Sequence, residues 1–312
     1  MKTRNIIQLG ALFLAVTCYS LTGCKKDKID SGNSDSASLE QLSSDENNVE
    51  GVSDDALSDV EGVLSYLAGA LKSTEAIPCN ATIDSTTVIN DTITIHITYN
   101  GLSCNGKRYR TGQIEIKKKV GTHWGQQGAT INYTYINYAV TKVSSGKTIT
   151  LNGNKTFENV SGGFRWQVGI TRNSIVQKVS GLMIVTFDDG TSRTWNNARQ
   201  RTYTGTISHL LLTEDGFGSA GGYTNLVTWG INRKGEQFYT QITQSVVHKE
   251  LCGWDPVSGI KIHQIPSDNK SATITFGYDN NNQPVTGDEC PTRYRIDWVK
   301  GTHSGTKYLQ LP

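Results

Sequence analysis

The sequence predicts an all-β protein: one large antiparallel sheet of about fourteen strands, with a single amphipathic helix near the N-terminus. From Ala81 onward, Thr, Ile, Val and aromatic residues alternate with polar residues in short segments, which is typical of half-buried strands. Turn signals such as Asn100-Gly101 and Asp188-Asp189-Gly190 separate these segments. Short connections allow hairpins and exclude the crossovers of a parallel sheet. We therefore expect the sheet to fold as a sandwich or as an open barrel.

The chain begins with an export leader. Two basic residues precede an apolar run, Ile6–Leu21, that is too short to cross a bilayer as a permanent helix. The run ends in Leu21-Thr22-Gly23-Cys24, which resembles the lipobox of bacterial lipoproteins. The resemblance implies removal of residues 1–23 as a signal peptide and attachment of lipid to Cys24, with two or three acyl chains for stable anchoring. The alternative is an ordinary secretory leader in which Cys24 is incidental.

The residues after Cys24 bear on the location. Lys25 occupies the position where Asp would retain a lipoprotein in the inner membrane of other bacteria. The charged segment 25–28 resembles the export tag of surface lipoproteins of the Bacteroidetes type. These resemblances imply an outer-membrane protein, lipid-anchored at the periplasmic face or the cell surface. The whole pattern resembles the all-β envelope lipoproteins of that group, a general resemblance that carries no catalytic residues across.

Residues 24–53 are interpreted as a flexible acidic spacer. Between Ile29 and Leu71 the chain has ten acidic residues and no Lys or Arg. The first part of this stretch has few apolar side chains, so we expect it to bury too little surface to offset the entropy of ordering.

Residues 54–72 change character and predict the helix. Leu57, Val60 and Leu64 recur at spacings of three and four, the period of an amphipathic helix. Ser53 suits the N-cap. We expect this helix to cover one face or the open end of the sheet, with a lid over a ligand cavity as the alternative.

Residues 73–312 form the predicted β body. The predicted strands are Thr92–Tyr99, Gln113–Val120, Ala129–Val143 (with a phase change near Asn137), Lys147–Leu151, Phe157–Val160, Phe164–Thr171, Val176–Phe187, Thr191–Trp195, Thr202–Thr213, Asn225–Ile231, Gln237–His248, Ile260–Ile265, Ala272–Tyr278, Arg293–Val299 and Thr306–Leu311. The motif Thr-Gly-x-Ile occurs at 111–114 and again at 204–207. This repeat raises the hypothesis of two similar halves with a break near residue 190.

Four cysteines follow Cys24, and we expect them to form disulfides in an oxidising envelope compartment. Proximity in sequence favours the pairs Cys79–Cys104 and Cys252–Cys290 among three connectivities. Each bridge would stabilise the fold by about 3–4 kcal/mol in the chain-entropy model. The competing interpretation is a metal site, but the chain lacks closely spaced Cys or His pairs such as Cys-x-x-Cys.

The sequence offers no catalytic constellation. It contains no His pair with zinc-protease spacing, no Gly-x-Ser-x-Gly elbow and no phosphate loop, which are the local signatures of common enzyme sites. We therefore predict a non-enzyme without cofactor or metal. The formal net charge of +2 and the scattered Lys and Arg do not favour nucleic-acid binding.

Tryptophans are the candidate ligand-binding residues. Trp124 and Trp254 lie in predicted loops and are candidates for stacking on a ligand, whereas Trp166 and Trp298 lie in predicted strands and are expected in the core. The leading hypothesis is a lipid-anchored envelope protein with a non-enzymatic binding or structural role. Its expected partners are the membrane, through Cys24, and glycans or envelope proteins. The alternatives are a carbohydrate-binding, adhesin-like surface module and a carrier of an apolar ligand in a β-barrel plugged by the helix.

Overall fold

The computed structural model describes residues 31–70, 77–85 and 88–311. The lipobox, Cys24 and the remainder of the leader lie outside the described residues. One helix, α1 (Ser31–Leu67), precedes the strands. The strands are β1 (Ala81–Ser85), β2 (Thr92–Leu102), β3 (Arg108–Lys119), β4 (Ala129–Lys142), β5 (Thr148–Asn159), β6 (Ile175–Phe187), β7 (Ser192–Thr206), β8 (His209–Gly216), β9 (Gly218–Ala220), β10 (Tyr223–Ile231), β11 (Gln237–Lys249), β12 (Pro256–Ile265), β13 (Lys270–Tyr278), β14 (Arg293–Lys300) and β15 (His303–Gln310).

All fifteen strands belong to one antiparallel sheet. The order follows the chain from β1 to β7 and continues with β10 to β15, while β8 pairs with β7 and β11, and β9 pairs with β10. The prediction of an all-β fold with one helix is confirmed. Since a sandwich requires two packed sheets, the single continuous sheet corresponds to the open, curved alternative.

The inner face of the sheet surrounds α1. Near one edge, the Tyr99 hydroxyl of β2 donates a hydrogen bond of 3.0 Å to Asp59 of the helix. At the opposite edge, Nζ of Lys307 in β15 lies 2.6 Å from Oε1 of Glu40. Because one helix reaches strands at both ends of the ladder, the sheet must curve around it. The helix is therefore a core element rather than a cover.

The helix begins earlier than the sequence predicted. Residues 31–53 are helical, and Leu39, Leu42 and Val49 are at most 1% exposed. The prediction of a flexible spacer is therefore wrong from residue 31 onward. The apolar stripe does continue into the predicted helix, where Val60 is fully buried, but the helix ends at Leu67 rather than at 72.

A β-bulge explains the predicted phase change in β4. Tyr133 and Tyr135 are buried, and after the bulge Tyr138 is buried in the opposite phase. Asn137 takes a positive φ of 47° there, which Asn tolerates better than most residues. Gly112 faces the bulge with φ +89°, and a Cβ at that position would lie 2.1 Å from the Asn137 carbonyl oxygen. The bulge therefore requires glycine at 112.

Two other predictions about the body are wrong. Near residue 190 the chain makes a tight hairpin, and β6 and β7 pair from Ile175↔Tyr203 to Thr186↔Ser192, so no boundary divides the described β body there. The predicted strand Phe164–Thr171 is instead a 3-10 turn at Arg165–Gln167 followed by further turns. Gly169, which follows this turn, takes φ +77°, outside the range of a regular strand.

Candidate functional site

A row of carboxylates on α1 faces polar partners on the inner face of the sheet. Glu46 and Glu61 are 1% and 5% exposed, so these groups lie within the protein rather than on a solvated surface. The pairs are Asp45–Arg233, Glu46–Arg193, Glu50–Lys261, Asp54–Arg199, Asp59–Arg110 and Glu61–Gln177. Buried charges are stable only when they are paired and hydrogen-bonded, so this array fixes the position of the helix inside the sheet.

Strand β7 supplies the central cations because of its alternation. Side chains of a strand alternate between the two faces, and the inward positions of β7 include Arg193, Trp195, Arg199, Arg201 and Tyr203, all of which are buried. Three guanidinium groups therefore share one face with two large aromatic rings. The sequence predicted strands at both ends of β7, Thr191–Trp195 and Thr202–Thr213, but left residues 196–201 unassigned. Lys and Arg were expected at the surface, so the inward-facing arginines were not predicted.

The carboxylates in the middle of α1 have different protonation behaviour. Burial would raise the pKa of Asp54, but the guanidinium groups of Arg199 and Arg201 outweigh burial and hold that pKa below its ordinary value. Burial raises the pKa of Glu50 to about 7, against the opposing effect of Lys261. Asp54 is thus an anion at neutral pH, whereas Glu50 titrates near neutrality.

A polar cavity of about 250 Å³ lies beside this array. Ser58 of α1, Arg201 and Tyr203 of β7, Arg165 from the 3-10 turn and Trp254 from the turn before β12 contribute to its wall. Pockets for small ligands usually combine aromatic walls with a few convergent polar groups. The cavity therefore has the composition of a small-ligand site, and it is the candidate functional site.

Both predicted disulfides are present. Cys79 and Cys104 are bonded with an S–S distance of 2.10 Å, and Cys252 and Cys290 with one of 2.02 Å. The prediction from sequence proximity is confirmed. The second bridge holds the turn that carries Trp254, two residues after Cys252, against the cavity.

The tryptophans are only partly where the sequence suggested. Trp124 is 2% exposed and packs on Phe157 with ring centroids 4.4 Å apart, so the prediction that it stacks on a ligand is wrong. Trp254 is half-buried and lines the cavity. Trp166, expected in the core, is 43% exposed, while Trp298 is buried as expected.

His248 was not singled out from the sequence, yet it lines the cavity. Its Nδ1 lies 2.9 Å from the Trp254 carbonyl oxygen, and a carbonyl can only accept, so Nδ1 carries the proton. Burial lowers the pKa of His248, with partial compensation from Glu214. The ring is therefore neutral at pH 7, and Nε2 is a buried acceptor that has no hydrogen-bond partner among the described residues.

Searches for other site types and for relatives gave no match. Among the described residues, no group of His, Cys, Asp and Glu is arranged to hold a metal ion. In the same part of the chain, no helix has the length and apolar character needed to cross a bilayer. No family model, curated protein or solved structure matches this chain.

Proposed function

We propose that this chain is a lipid-anchored protein of a bacterial cell envelope, held in the outer membrane through an acylated Cys24, with a non-enzymatic ligand-binding role. The leader and its lipobox support the location. The two disulfides agree with an oxidising compartment. The observation that carries the binding role is the polar cavity between α1, β7 and the turn at Trp254.

The anchor is tested with two cysteine variants of the leader. Cells expressing the full chain are labelled with a palmitate analogue, and Cys24→Ala is compared with Cys18→Ala. We expect Cys24→Ala to lose the label and the membrane association, and Cys18→Ala to keep both. Label retained by Cys24→Ala would refute the anchor. Protease treatment of intact cells then distinguishes the cell surface from the periplasmic face.

The binding role is tested by filling the cavity. The purified full chain is screened by thermal shift against a broad panel of small polar metabolites, and hits are repeated with Ser58→Phe, which introduces a ring at the cavity wall. Ser44→Phe, on the same helix but away from the cavity, is the matched control. We expect at least one ligand that stabilises the wild type and Ser44→Phe but not Ser58→Phe. A panel without any such ligand would refute the binding role.

A carbohydrate-binding surface module is the second candidate. One observation favours it: Trp166 is exposed and stacks on Phe164 with ring planes 14° apart. A glycan array probed with the wild type and Trp166→Ala tests it, and binding lost in Trp166→Ala would support it. The apolar-carrier hypothesis is not proposed, since Leu57, Val60 and Leu64 pack into the hydrophobic core.

A further inference from the structure

Two guanidinium groups lie near one aromatic ring in the cavity wall. The Cζ atoms of Arg165 and Arg201 each lie 5.6 Å from the centroid of the Tyr203 ring. Arg201 is 6% exposed, so its charge has little access to bulk water. Arginine is protonated at all physiological pH values. The cavity wall therefore carries the positive charges of Arg165 and Arg201 on rigid parts of the fold, beside the carboxyl groups of Asp54 and Asp55.

Among the described residues, neither guanidinium has a carboxylate oxygen within 3.5 Å. Arg165 donates a long hydrogen bond of 3.4 Å to the Ser58 hydroxyl, and in the described part of the chain no carboxylate oxygen lies within 4.0 Å of it. Arg201 lies 3.9 Å from Oδ2 of Asp54, whose other oxygen accepts a 2.5 Å hydrogen bond from Arg199. Nε of Arg201 is buried and has no hydrogen-bond partner within residues 31–70, 77–85 and 88–311. An anion bound by both arginines would give Nε of Arg201 a partner and would add a charged acceptor to Arg165.

The same cavity also contains hydrogen-bond acceptors. Because Nδ1 of His248 donates to the Trp254 carbonyl, Nε2 is a buried acceptor, and it has no partner in the described part of the chain. Asp255 also lines the cavity, and burial raises the pKa of its carboxyl group. Both groups suit the hydroxyl donors of a ligand.

Trp254 supplies an apolar wall. Its ring meets that of Tyr203 edge to face, with centroids 6.1 Å apart. Aromatic rings in this setting offer both an apolar face and a defined orientation. A volume of about 250 Å³ is at the small end of ligand pockets, which fits a molecule of one ring rather than a chain of rings.

We propose that the cavity binds a small carboxylate that also carries hydroxyl groups on a compact ring, that is, a sugar acid. The carboxylate lies between Arg165 and Arg201, a hydroxyl group donates to Nε2 of His248, and the apolar face of the ring packs against Trp254. This inference rests on the proposed binding role of the cavity and specifies its ligand class.

The test compares three kinds of probe by isothermal titration on the full chain in detergent. Glucuronate and galacturonate carry all the required groups, glucose and galactose lack the carboxylate, and acetate and sulfate lack the ring and its hydroxyl groups. We expect the uronates to bind at least about tenfold more tightly than either of the other two kinds, because hydrogen bonds to charged groups are the strong ones.

Variants then assign the contacts. Arg165→Gln should weaken uronate binding about tenfold or more without changing the weak binding of neutral sugars, and His248→Phe should weaken binding of uronates but not of acetate. Arg172→Gln is the matched control, because Arg172 is exposed on the same segment as Arg165. Near-ultraviolet circular dichroism confirms that each variant is folded.

Several outcomes would overturn the inference. If acetate or sulfate binds as tightly as the uronates, the cavity is a simple anion site. If glucose binds as tightly, the arginines do not contribute to ligand binding. Uronate affinity unchanged by Arg165→Gln would place the ligand elsewhere. If uronates fail but the broad screen yields another ligand sensitive to Ser58→Phe, the ligand class is wrong and the binding role stands. If the screen also fails, both are wrong.

Discussion

Lys261 of β12 donates hydrogen bonds of 2.8 and 2.7 Å to the two carboxylate oxygens of Glu50 on α1. Residues 211 positions apart in sequence therefore meet inside the sheet, where the Lys261 side chain is 4% exposed. The contact is one of the pairs that hold an acidic helix within a sheet of inward-facing cations.

Replacing only one member of this pair should be costly. We expect Lys261→Met to lower the free energy of unfolding by roughly 3–5 kcal/mol, because Glu50 then stays buried without its cation or must take up a proton. The double variant Glu50→Leu/Lys261→Met should recover most of that loss, since two apolar side chains leave no unpaired charge. Urea unfolding measures both.

An exposed pair gives the control for this experiment. Lys119 lies 3.7 Å from Asp91 with side chains 76% and 59% exposed, so Lys119→Met should not change the urea midpoint measurably. If Lys261→Met changes the urea midpoint no more than Lys119→Met does, the ion pair between Glu50 and Lys261 does not stabilise the fold.

Helix α1 should resist a protease specific for glutamate at its buried positions. Glu46, Glu50 and Glu61 are at most 9% exposed in a continuous helix, whereas Glu289 is exposed in a loop. We expect cleavage after Glu289 to precede any cleavage in the helix under native conditions, and urea to remove the difference. Mass spectrometry of the fragments distinguishes this from a flexible spacer, which would be cut first.

The misprediction of residues 31–53 has a physical reason. The segment reads as a spacer because Ser, Asn and acidic side chains such as Glu46 and Glu50 together outnumber its apolar ones. Its order depends on cations such as Arg193 and Lys261, which are contributed by strands more than a hundred residues later. A local pattern cannot contain that information, because the partner is known only after the sheet has folded.

The β body was predictable to the extent that local patterns determined it. Alternation located β2, and the phase change near Asn137 indicated the bulge of β4. The segment Phe164–Thr171 misled because its alternating Trp166, Val168 and Ile170 resemble a strand. In the folded chain only Val168 of these three is buried, while the other two are exposed on turns.

The site was less predictable than the fold. Trp254 was identified by its place in a loop, but the arginines of the cavity were not. On β7, Arg199 and Arg201 share the phase of Trp195 and Tyr203, so the alternation already placed them on the core face. The general expectation that Arg lies at the surface overrode that signal.

Acid should destabilise the protein through His263. This side chain is 1% exposed, and its Nδ1 lies 2.9 Å from the Thr240 hydroxyl. Burial lowers the pKa of His263 to about 4. The positive charges of Lys261 and Arg193 lower this pKa further, and the carboxylate of Glu46 opposes them. The pKa of His263 is lower in the folded state than in the unfolded state. The neutral side chain therefore contributes fully to the stability of the fold above pH 6.5, and this contribution declines as the pH falls toward 4. The loss amounts to about 3 kcal/mol.

The His263 contribution is isolated by difference. Carboxyl groups such as Glu50 have raised pKa values and act in the opposite direction over the same pH range. We therefore expect the stability difference between wild type and His263→Asn to shrink by about 3 kcal/mol between pH 7 and pH 4. His209→Asn is the control, because His209 is exposed. A difference that stays constant with pH would show that His263 does not titrate as argued.

The two disulfides should differ in their effect on the cavity although they contribute similar stability. Removing either bridge with paired Cys→Ser changes should lower the free energy of unfolding by about 3–4 kcal/mol, given loops of similar length.

Only the bridge Cys252–Cys290 holds the turn with Trp254. Fluorotryptophan NMR tests this, with the Trp254 resonance assigned by Trp254→Phe. We expect that resonance to shift or broaden in Cys252→Ser/Cys290→Ser. In Cys79→Ser/Cys104→Ser it should stay unchanged. A Trp254 resonance indifferent to both changes would mean that packing on Tyr203, and not the disulfide, positions the aromatic wall of the cavity.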